Sequence, residues 1–337
     1  MFAFLLNPTA GAGRSVRIWR RLETALKRRG IPYELLVGRD ARGAFDLARE
    51  AAGDRRVEAL VAVGGDGTLS LVLNAVMDAR TEGAANRAAA QAAGTPLPGA
   101  DRNGPAPALA LIPAGSGNDV ARTFGIPRHP ERALERLLAA PERAIDVGRL
   151  RIMTPGSGPE APVYFFGFTG AGIDAAVIDA VEALAFKKRF QRIAYALGVV
   201  KAWSTFRPFP VTIELEDGRL RFDDAWLIVL ANIPFLGGGM HIAPGAEVAD
   251  GAFDLVVVSG IGRLGFLRAF PLVFRGRHIR HPSVTVRRVQ KAVLTFGERP
   301  RGTGAARRPV GLQRDGEREE GLSVAVDVLP KAIRFRA

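Results

Sequence analysis

The sequence contains no cysteine. That excludes disulfides, a thiolate nucleophile and a Cys-ligated zinc site, and it fits a reducing compartment without requiring one. Long apolar runs are missing too. No stretch approaches the ~20 apolar residues of a membrane-spanning helix, and the opening MFAFLLNP lacks the basic n-region and the length of a signal peptide. The expectation is a soluble or peripheral protein, cytoplasmic, at most lying on the inner membrane face. Lysine is scarce, at six of the 47 basic residues. The four histidines (His129, His241, His278, His281) show no metal-ligand spacing such as H-E-x-x-H. Zinc-finger spacing, RNP-like aromatic strands and bZIP heptads are absent, so nucleic acid is not an expected partner. The net charge of +13 then reads as solubility or as attraction to an anionic membrane.

What is present is enough apolar residue for large cores: 47% of 337 residues. That length suggests two domains. FAFLL (2–6) reads as a buried strand, and 15–29 as a basic amphipathic helix ended by Gly30. Strands at 33–37 and 57–63 alternate with helices at 44–52 and 69–79. Such β-α alternation predicts a parallel sheet covered on both faces. Residues 80–107 turn to Ala, Gly, Pro and Asn and read as a flexible insertion. A strand at 108–112 and a helix at 130–139 follow. From about Ile145 the texture changes to short strand-like runs such as VYFFGF, VTIELE, AWLIVLAN and FDLVVVSG, with one long helical candidate at 175–205. A second loose segment covers 297–311. The predicted fold is an α/β N-terminal nucleotide-binding domain with a parallel sheet, plus a mainly β, sandwich-like C-terminal domain.

Three glycine-rich turns follow strands of the first half. NPTAGAGRS (7–15) can present backbone N–H groups to phosphate, or be an ordinary strand-to-helix loop. VGGDGTLS (63–70) carries no Walker lysine and places Asp66 among its glycines. Two unit charges 4 Å apart interact by about 4 kcal/mol at an effective dielectric of 20, so a carboxylate there repels phosphate unless a divalent cation lies between. The turn therefore makes sense as a metal–nucleotide site, with Asp66 acting through Mg²⁺ and Thr68 capping the helix or bonding phosphate. In PAGSGNDVAR (113–122), Ser116 and Asn118 supply hydrogen bonds and Arg122 meets phosphate or Asp119. The stretch is not a G-x-S-x-G hydrolase elbow.

The second half carries three more. GFTGAGIDAAV (167–177) mimics a dinucleotide fingerprint without its βαβ context. APGAEVADGAFDL (243–255) reads locally as a turn or as a cation site at Asp250. In LQRDGE (312–317), Asp315 and Glu317 fall on one side of an extended segment, where one can take a proton from a hydroxyl; a D-G hairpin turn is the alternative.

In this order, from residue 7 to residue 317, these motifs resemble the diacylglycerol kinase catalytic-domain superfamily. That group also includes sphingosine and ceramide kinases and bacterial YegS-like lipid kinases. GGDGT alone is shared with NAD kinases; the ordered set is more specific. The resemblance implies an ATP-binding domain over 1–140, a lipid-substrate domain over 141–319, a cleft between them, and a segment (320–337) returning to the first. It implies ATP contacts at Asn7, Pro8, Thr9, Ala10 and Gly11, at Gly64, Gly65, Asp66, Gly67, Thr68, Leu69 and Ser70, and at Ser116, beside Asn118. Asp315 and Glu317 match the catalytic base region, with Asp66 offsetting developing charge. Glu247, Asp250 and Ala252 match a structural Mg²⁺ site, Glu247 and Ala252 acting mainly through backbone carbonyls. Departures exist: Ser70 and Ser116 stand where Asn and Thr are frequent, and Arg39 lies where a nucleotide-contacting Thr is usual.

The expected activity is transfer of the γ-phosphate of ATP to a lipid hydroxyl, with diacylglycerol going to phosphatidic acid as the first expectation and a membrane surface as the place of reaction. A soluble-substrate kinase of the NAD kinase type and a non-catalytic nucleotide-binding regulator are the alternatives. Residues 186–209 interleave cations with aromatics, as interfacial segments do.

Overall fold

The computed structural model describes residues 1–93, 106–153, 160–183, 191–297 and 309–337. The chain forms two compact units. The first is Met1–Ile145 with Lys331–Ala337, and the second is Asp146–Pro330.

The first unit runs β1 (Phe2–Leu6), α1 (Arg14–Arg28), β2 (Tyr33–Leu36), α2 (Ala41–Gly53), β3 (Ala59–Gly64), α3 (Asp66–Ala93), β4 (Ala108–Pro113), α4 (Asp119–Thr123) and α5 (Pro130–Ala139), then enters β5 (Glu142–Met153). Every residue of β1, β3 and β4 is buried. That is why they read as unbroken apolar runs: helices cover both faces of a parallel sheet. α1 buries Ile18, Trp19, Leu22, Ala25 and Leu26 on one stripe. It stops in a Schellman motif, with Ile31 N–H bonded to Leu26 O and Gly30 N–H to Lys27 O, and Gly30 at φ +63° supplies the left-handed residue. The Asp40 carboxylate caps α2 by accepting Gly43 N–H at 2.8 Å.

The strand order is β2-β1-β3-β4, all parallel. The chain therefore leaves β1 toward one edge and resumes at β3 on its other side. Loops after β1 and β3 thus open at a topological switch point, where open α/β sheets bind ligands.

The second unit continues β5 and adds β6 (Val163–Phe165), β7 (Phe168–Gly172), α6 (Ile173–Glu182), α7 (Gln191–Thr205), β8 (Phe209–Leu215), β9 (Gly218–Ala225), β10 (Leu227–Ala231) and β11 (Phe253–Val258). Then come α8 (Arg263–Ala269), two 3-10 turns (Phe270–Arg275 and Arg277–Arg280), β12 (Val284–Val289), β13 (Lys291–Phe296), β14 (Val310–Arg314), β15 (Glu317–Gly321) and β16 (Ser323–Arg336). One antiparallel sheet runs β16-β13-β8-β9, with β5 and β6 beside β16; the other runs β12-β11-β10-β7-β14-β15.

Alternation divides the second sheet's side chains between two cores. Ile228, Leu230, Phe253, Leu255 and Val257 meet Ile213, Leu294, Phe296 and Val324 of the facing sheet. Their neighbours Leu227, Val229, Ala231, Val256 and Val258 pack under α6, α7 and α8. The unit is a β-sandwich with one face roofed by helices.

Several expectations change. α3 begins at Asp66 and runs to Ala93, through the first half of the segment read as loose. The run AANRAAAQAA is the reason, because alanine has the highest helix propensity. The rest of that insertion, 94–105, lies outside the described residues, as do 298–308 of the later loose segment. The long helical candidate is two helices, α6 and α7; residues 184–190, with the Lys187-Lys188-Arg189 run, lie outside the described residues. Residues 320–330 belong to the second unit, because β16 pairs with β13 as far as Asp327.

Candidate active site

Three loops meet at the C-terminal ends of β1, β3 and β4. Asn7 joins the first to the second: its Nδ2 donates to Thr68 Oγ1 at 3.2 Å. Asn7 Oδ1 accepts Thr9 N–H at 3.1 Å and Thr9 Oγ1 at 2.8 Å, and Ser15 Oγ donates to Asn7 O at 2.6 Å. The second and third loops are joined by backbone, Ala114 N–H to Gly64 O at 2.6 Å and Gly115 N–H to the same oxygen at 3.1 Å. They approach so closely that a Cβ on Gly115 would lie 2.5 Å from Gly65 Cα, and one on Gly64 would lie 2.2 Å from Thr68 Oγ1. Gly64 and Gly115 are thus required by packing alone, and a Cβ on Gly65 would press on Gly115 Cα at 3.0 Å. Around Gly67 a Cβ would meet nothing within 4 Å, so nothing in the fold demands that glycine and the space over it is open.

Asp66 has a task the sequence did not show. Its carboxylate accepts the first two amides of α4, Asp119 N–H at 3.1 Å and Val120 N–H at 3.0 Å. The aspartate among the glycines therefore caps a helix 53 residues away. Positive charge is also nearer than the missing lysine suggested. The Arg14 guanidinium donates to Ala114 O at 3.1 Å and to Gly115 O, tying the first loop to the third. Arg122 pairs with Asp119.

The remaining expected nucleotide contacts divide by exposure. Pro8, Thr9 and Ser116 are exposed, and Ala10 and Gly11 partly so. Leu69 and Ser70 are fully buried, so a ligand meets neither side chain. Asn118, 2% exposed, sits in the left-handed region at φ +54°. Its Nδ2 donates to Gly115 O at 2.8 Å, while its buried Oδ1 accepts no hydrogen bond among the described residues. Arg39 lies with Val37, Arg42 and Leu47 on a shallow depression at the start of α2.

In the second unit Asp315 and Gly316 form a two-residue hairpin loop between β14 and β15, with φ +47° and +89°. Positive φ at both residues is the requirement of a type I′ turn, so the segment is not extended and the two carboxylates do not share a side. Glu317 is turned to the surface and pairs with Arg314 at 2.5 Å, which also binds Glu319 at 2.9 Å. Asp315 turns inward. Its Oδ2 accepts Phe166 N–H at 2.7 Å, and its Oδ1 accepts Gly167 N–H at 2.9 Å and Phe168 N–H at 3.1 Å. A Cβ on Gly167 would stand 3.0 Å from that Oδ1. Burial pushes the Asp315 carboxyl above its ordinary proton affinity, against the three amides and Arg314, which favour the anion. Nearby Asn232 is fully buried; its Nδ2 donates to Phe166 O at 2.8 Å and Asp146 O at 3.1 Å, and its Oδ1 lacks a partner among the described residues. The first turn of α6, directly after β7, holds Asp174, whose carboxyl is raised to about 6 by burial and which accepts from Gln313 Nε2. Asn232 and Asp174 carried no role in the sequence reading; only the fold brings them to Asp315 and β14.

The expected structural Mg²⁺ site, with Asp250 as its side-chain ligand and Glu247 and Ala252 acting mainly through backbone carbonyls, falls in the loop before β11. Asp250 Oδ1 accepts Ala252 N–H at 3.0 Å and its Oδ2 pairs with Arg288, while Glu247 is exposed. A guanidinium already neutralises Asp250, because Arg288 on β12 stands opposite Asp254 on β11. Among the described residues no three His, Asp or Glu side chains converge as metal ligands.

Comparison with known proteins agrees with this geometry. Residues 1–150 match the diacylglycerol kinase catalytic domain, and residues 167–337 match the YegS C-terminal NAD kinase beta sandwich-like domain. A diacylglycerol kinase of Mycobacterium tuberculosis is 30% identical over 85% of this chain and 82% of its own length. A diacylglycerol kinase of Bacillus subtilis is 25% identical over 88% and 86%. The crystal structure of a diacylglycerol kinase from Bacillus anthracis shares the fold with a TM-score of 0.63, covering 99% of this chain and 96% of that one at 18% identity. Glycine-rich loops at a switch point, an inward aspartate on a sandwich hairpin, and matches along both units give one conclusion: the chain belongs to the diacylglycerol kinase catalytic-domain family, and it is a lipid kinase.

Proposed function

We propose that this kinase transfers the γ-phosphoryl group of ATP to the hydroxyl of diacylglycerol at a membrane surface, giving phosphatidic acid. The choice of acceptor rests on the relatives named as diacylglycerol kinases. The observation that carries the chemistry is Asp315: a buried carboxylate, fixed by three amides, with raised proton affinity.

The first unit binds the nucleotide. The NPTAGAG and GGDGT loops receive its phosphates, Arg14 adds positive charge, and the open space over Gly67 lets the phosphate chain approach closely. Each Asp66 oxygen accepts one amide and keeps one lone pair, and the side chain is part-exposed. That fits Mg²⁺, which needs one or two carboxylates beside phosphate oxygens and water. When bound, the ion neutralises charge on the β- and γ-phosphates.

Asp315 supplies the base. Oδ1 already accepts two hydrogen bonds and Oδ2 only one, so Oδ2 takes the proton. The lipid O–H bond breaks toward Oδ2, the oxygen forms a bond to the γ-phosphorus, and the bond from that phosphorus to the β–γ bridging oxygen breaks, releasing ADP. The proton leaves Asp315 to water. Glu317 holds Arg314 and touches no reacting atom; it is a positioning residue.

The test is label transfer from γ-labelled ATP into a total lipid extract, comparing wild type with Asp315→Asn, with folding checked by circular dichroism. Label should appear in phosphatidic acid and fall about 10²–10⁴-fold in the variant, the usual range for a general base. Label only in NAD or another soluble acceptor would replace this reading with a soluble-substrate kinase. ATP binding without any label would replace it with a regulator.

A further inference from the structure

The helical roof of the second unit ends in a segment whose two sides differ sharply. From Gly262 to His281 the sequence is GRLGFLRAFPLVFRGRHIRH, with five arginines, two histidines and no acid. Its inner side is anchored. Phe266 stacks on Trp226 with ring centroids 4.7 Å apart, Phe270 follows at 6.2 Å from Phe266, and Val273 is buried. His278, also buried, bonds Ile242 O at 3.0 Å through Nε2. Arg263 ties the start of the segment to the end of α7, donating to Trp203 O at 2.6 Å and Phe206 O at 2.9 Å.

The outer side is apolar. Leu264 is 65% exposed, Leu267 50% and Phe274 56%, and Leu272 and Ile279 are exposed as well. α8 buries no residue completely. Leucines three apart on α8 lie on one face, opposite the anchoring Phe266. Between these apolar groups stand Arg268, Arg275, Arg277 and Arg280, all exposed. Exposed apolar side chains gathered this way mark an interaction surface.

We infer that the segment Arg263–Arg280 is the surface by which this kinase docks on an anionic phospholipid bilayer, its leucines and Phe274 entering the headgroup boundary and its arginines meeting lipid phosphates. Charge selects this occupant. A second copy of the chain in a two-fold contact would set these arginines against themselves. Single-stranded nucleic acid is held by aromatic stacking platforms, and here the exposed apolar groups are four aliphatic side chains and one phenylalanine. Basic groups interleaved with large apolar ones, on a helix rooted in a folded unit, match an interfacial surface. The inference deepens the proposed function, since a lipid acceptor is reached from a bilayer.

The test uses the full chain without ATP, so that docking is read apart from phosphate transfer. Co-sedimentation is measured with phosphatidylcholine vesicles and with phosphatidylcholine vesicles containing one quarter phosphatidylglycerol. Wild type should partition strongly onto the anionic vesicles only. The triple variant Arg275→Gln, Arg277→Gln, Arg280→Gln should lose roughly 100-fold in partitioning, from the usual contribution of each basic residue near a charged surface. Leu267→Asn with Phe274→Asn should lose at least about tenfold. Both variants should keep the wild-type circular dichroism and the wild-type rate on diacylglycerol in detergent micelles. Equal binding by wild type and both variants overturns the inference, as does wild type that ignores anionic vesicles or binds DNA in their place. If docking behaves as expected while no lipid is phosphorylated, the surface stands and the proposed reaction falls.

Discussion

Replacing Asp66 by alanine separates two duties that the sequence alone merges. If Asp66 serves only to hold a metal ion beside ATP, the protein without ligand does not need it. The structure says otherwise, because both carboxylate oxygens accept amides of α4. Asp119 and Val120 are 5% and 2% exposed, so those N–H groups would lose their acceptor in a place water reaches poorly. Leaving a buried donor unsatisfied costs about 1–3 kcal/mol. Two of them give about 2–6 kcal/mol, the lower end applying if a water enters the vacated space. For a folding unit of about 150 residues, each kcal/mol moves the unfolding midpoint by roughly 2–4 °C. Thermal unfolding of Asp66→Ala in EDTA, without nucleotide, should therefore show a midpoint lower by about 4–24 °C. Asp66→Asn keeps one acceptor oxygen and should fall between. A ligand-free midpoint equal to wild type, with only the ATP-induced rise lost, would refute the capping argument and leave the metal as the sole reason for the residue.

Two further changes test the loops and the sandwich. Gly115→Ala forces a Cβ to 2.5 Å from Gly65 Cα, so the loops must part; overpacking of this kind costs about 1–3 kcal/mol, and ATP affinity by calorimetry should fall with stability. Gly67→Ala meets nothing and should keep wild-type stability, and equal thermal shifts for the two variants would contradict the packing argument. At Asp174 burial raises the carboxyl from 3.8 to about 6. A raised folded value means that its stabilising effect is complete below 3.8 and is lost as pH climbs through 6. At about 1.4 kcal/mol for each tenfold change in proton affinity, the ionised side chain costs about 3 kcal/mol at neutral pH. Asp174→Asn, with the Gln313 amide turned over to face it, should be more stable than wild type at pH 7.5, and the gap should close toward pH 4. A gap that does not vary with pH would remove Asp174 as its cause.

What was readable from the chain follows from what is local. Apolar runs at 2–6, 59–63 and 108–112 announce strands buried on both faces, and the glycines after each announce the turns. The alanine run at 84–93 was equally readable as helix, but the proline-rich stretch beyond it pulled the whole segment toward loop. The division of labour among glycines was not readable: Gly67 and Gly115 look alike in sequence, and only the approach of β3 and β4 distinguishes open space from backbone contact. Asp66 capping α4 spans 53 residues and left no local mark. Arg288 opposite Asp254 is a register fact, invisible until β11 and β12 are paired, and it puts a guanidinium beside Asp250.

The D-G-E stretch shows the same limit most sharply. As an extended segment it would present two carboxylates together, either able to act as base. The I′ turn instead sends Asp315 inward and Glu317 outward, and the roles proposed for them follow those two environments. The inward carboxylate is desolvated, which raises its affinity for a proton, yet three amides fix both oxygens. Those opposing effects have different consequences for catalysis. Desolvation makes the group a stronger base. The amides pin its geometry in advance, so no reorganisation is required when the hydroxyl arrives. Gly167 is what permits the combination, since a side chain there would press on Oδ1 at 3.0 Å. A glycine 148 residues before the aspartate is thus as much a part of the proposed base as the carboxylate itself.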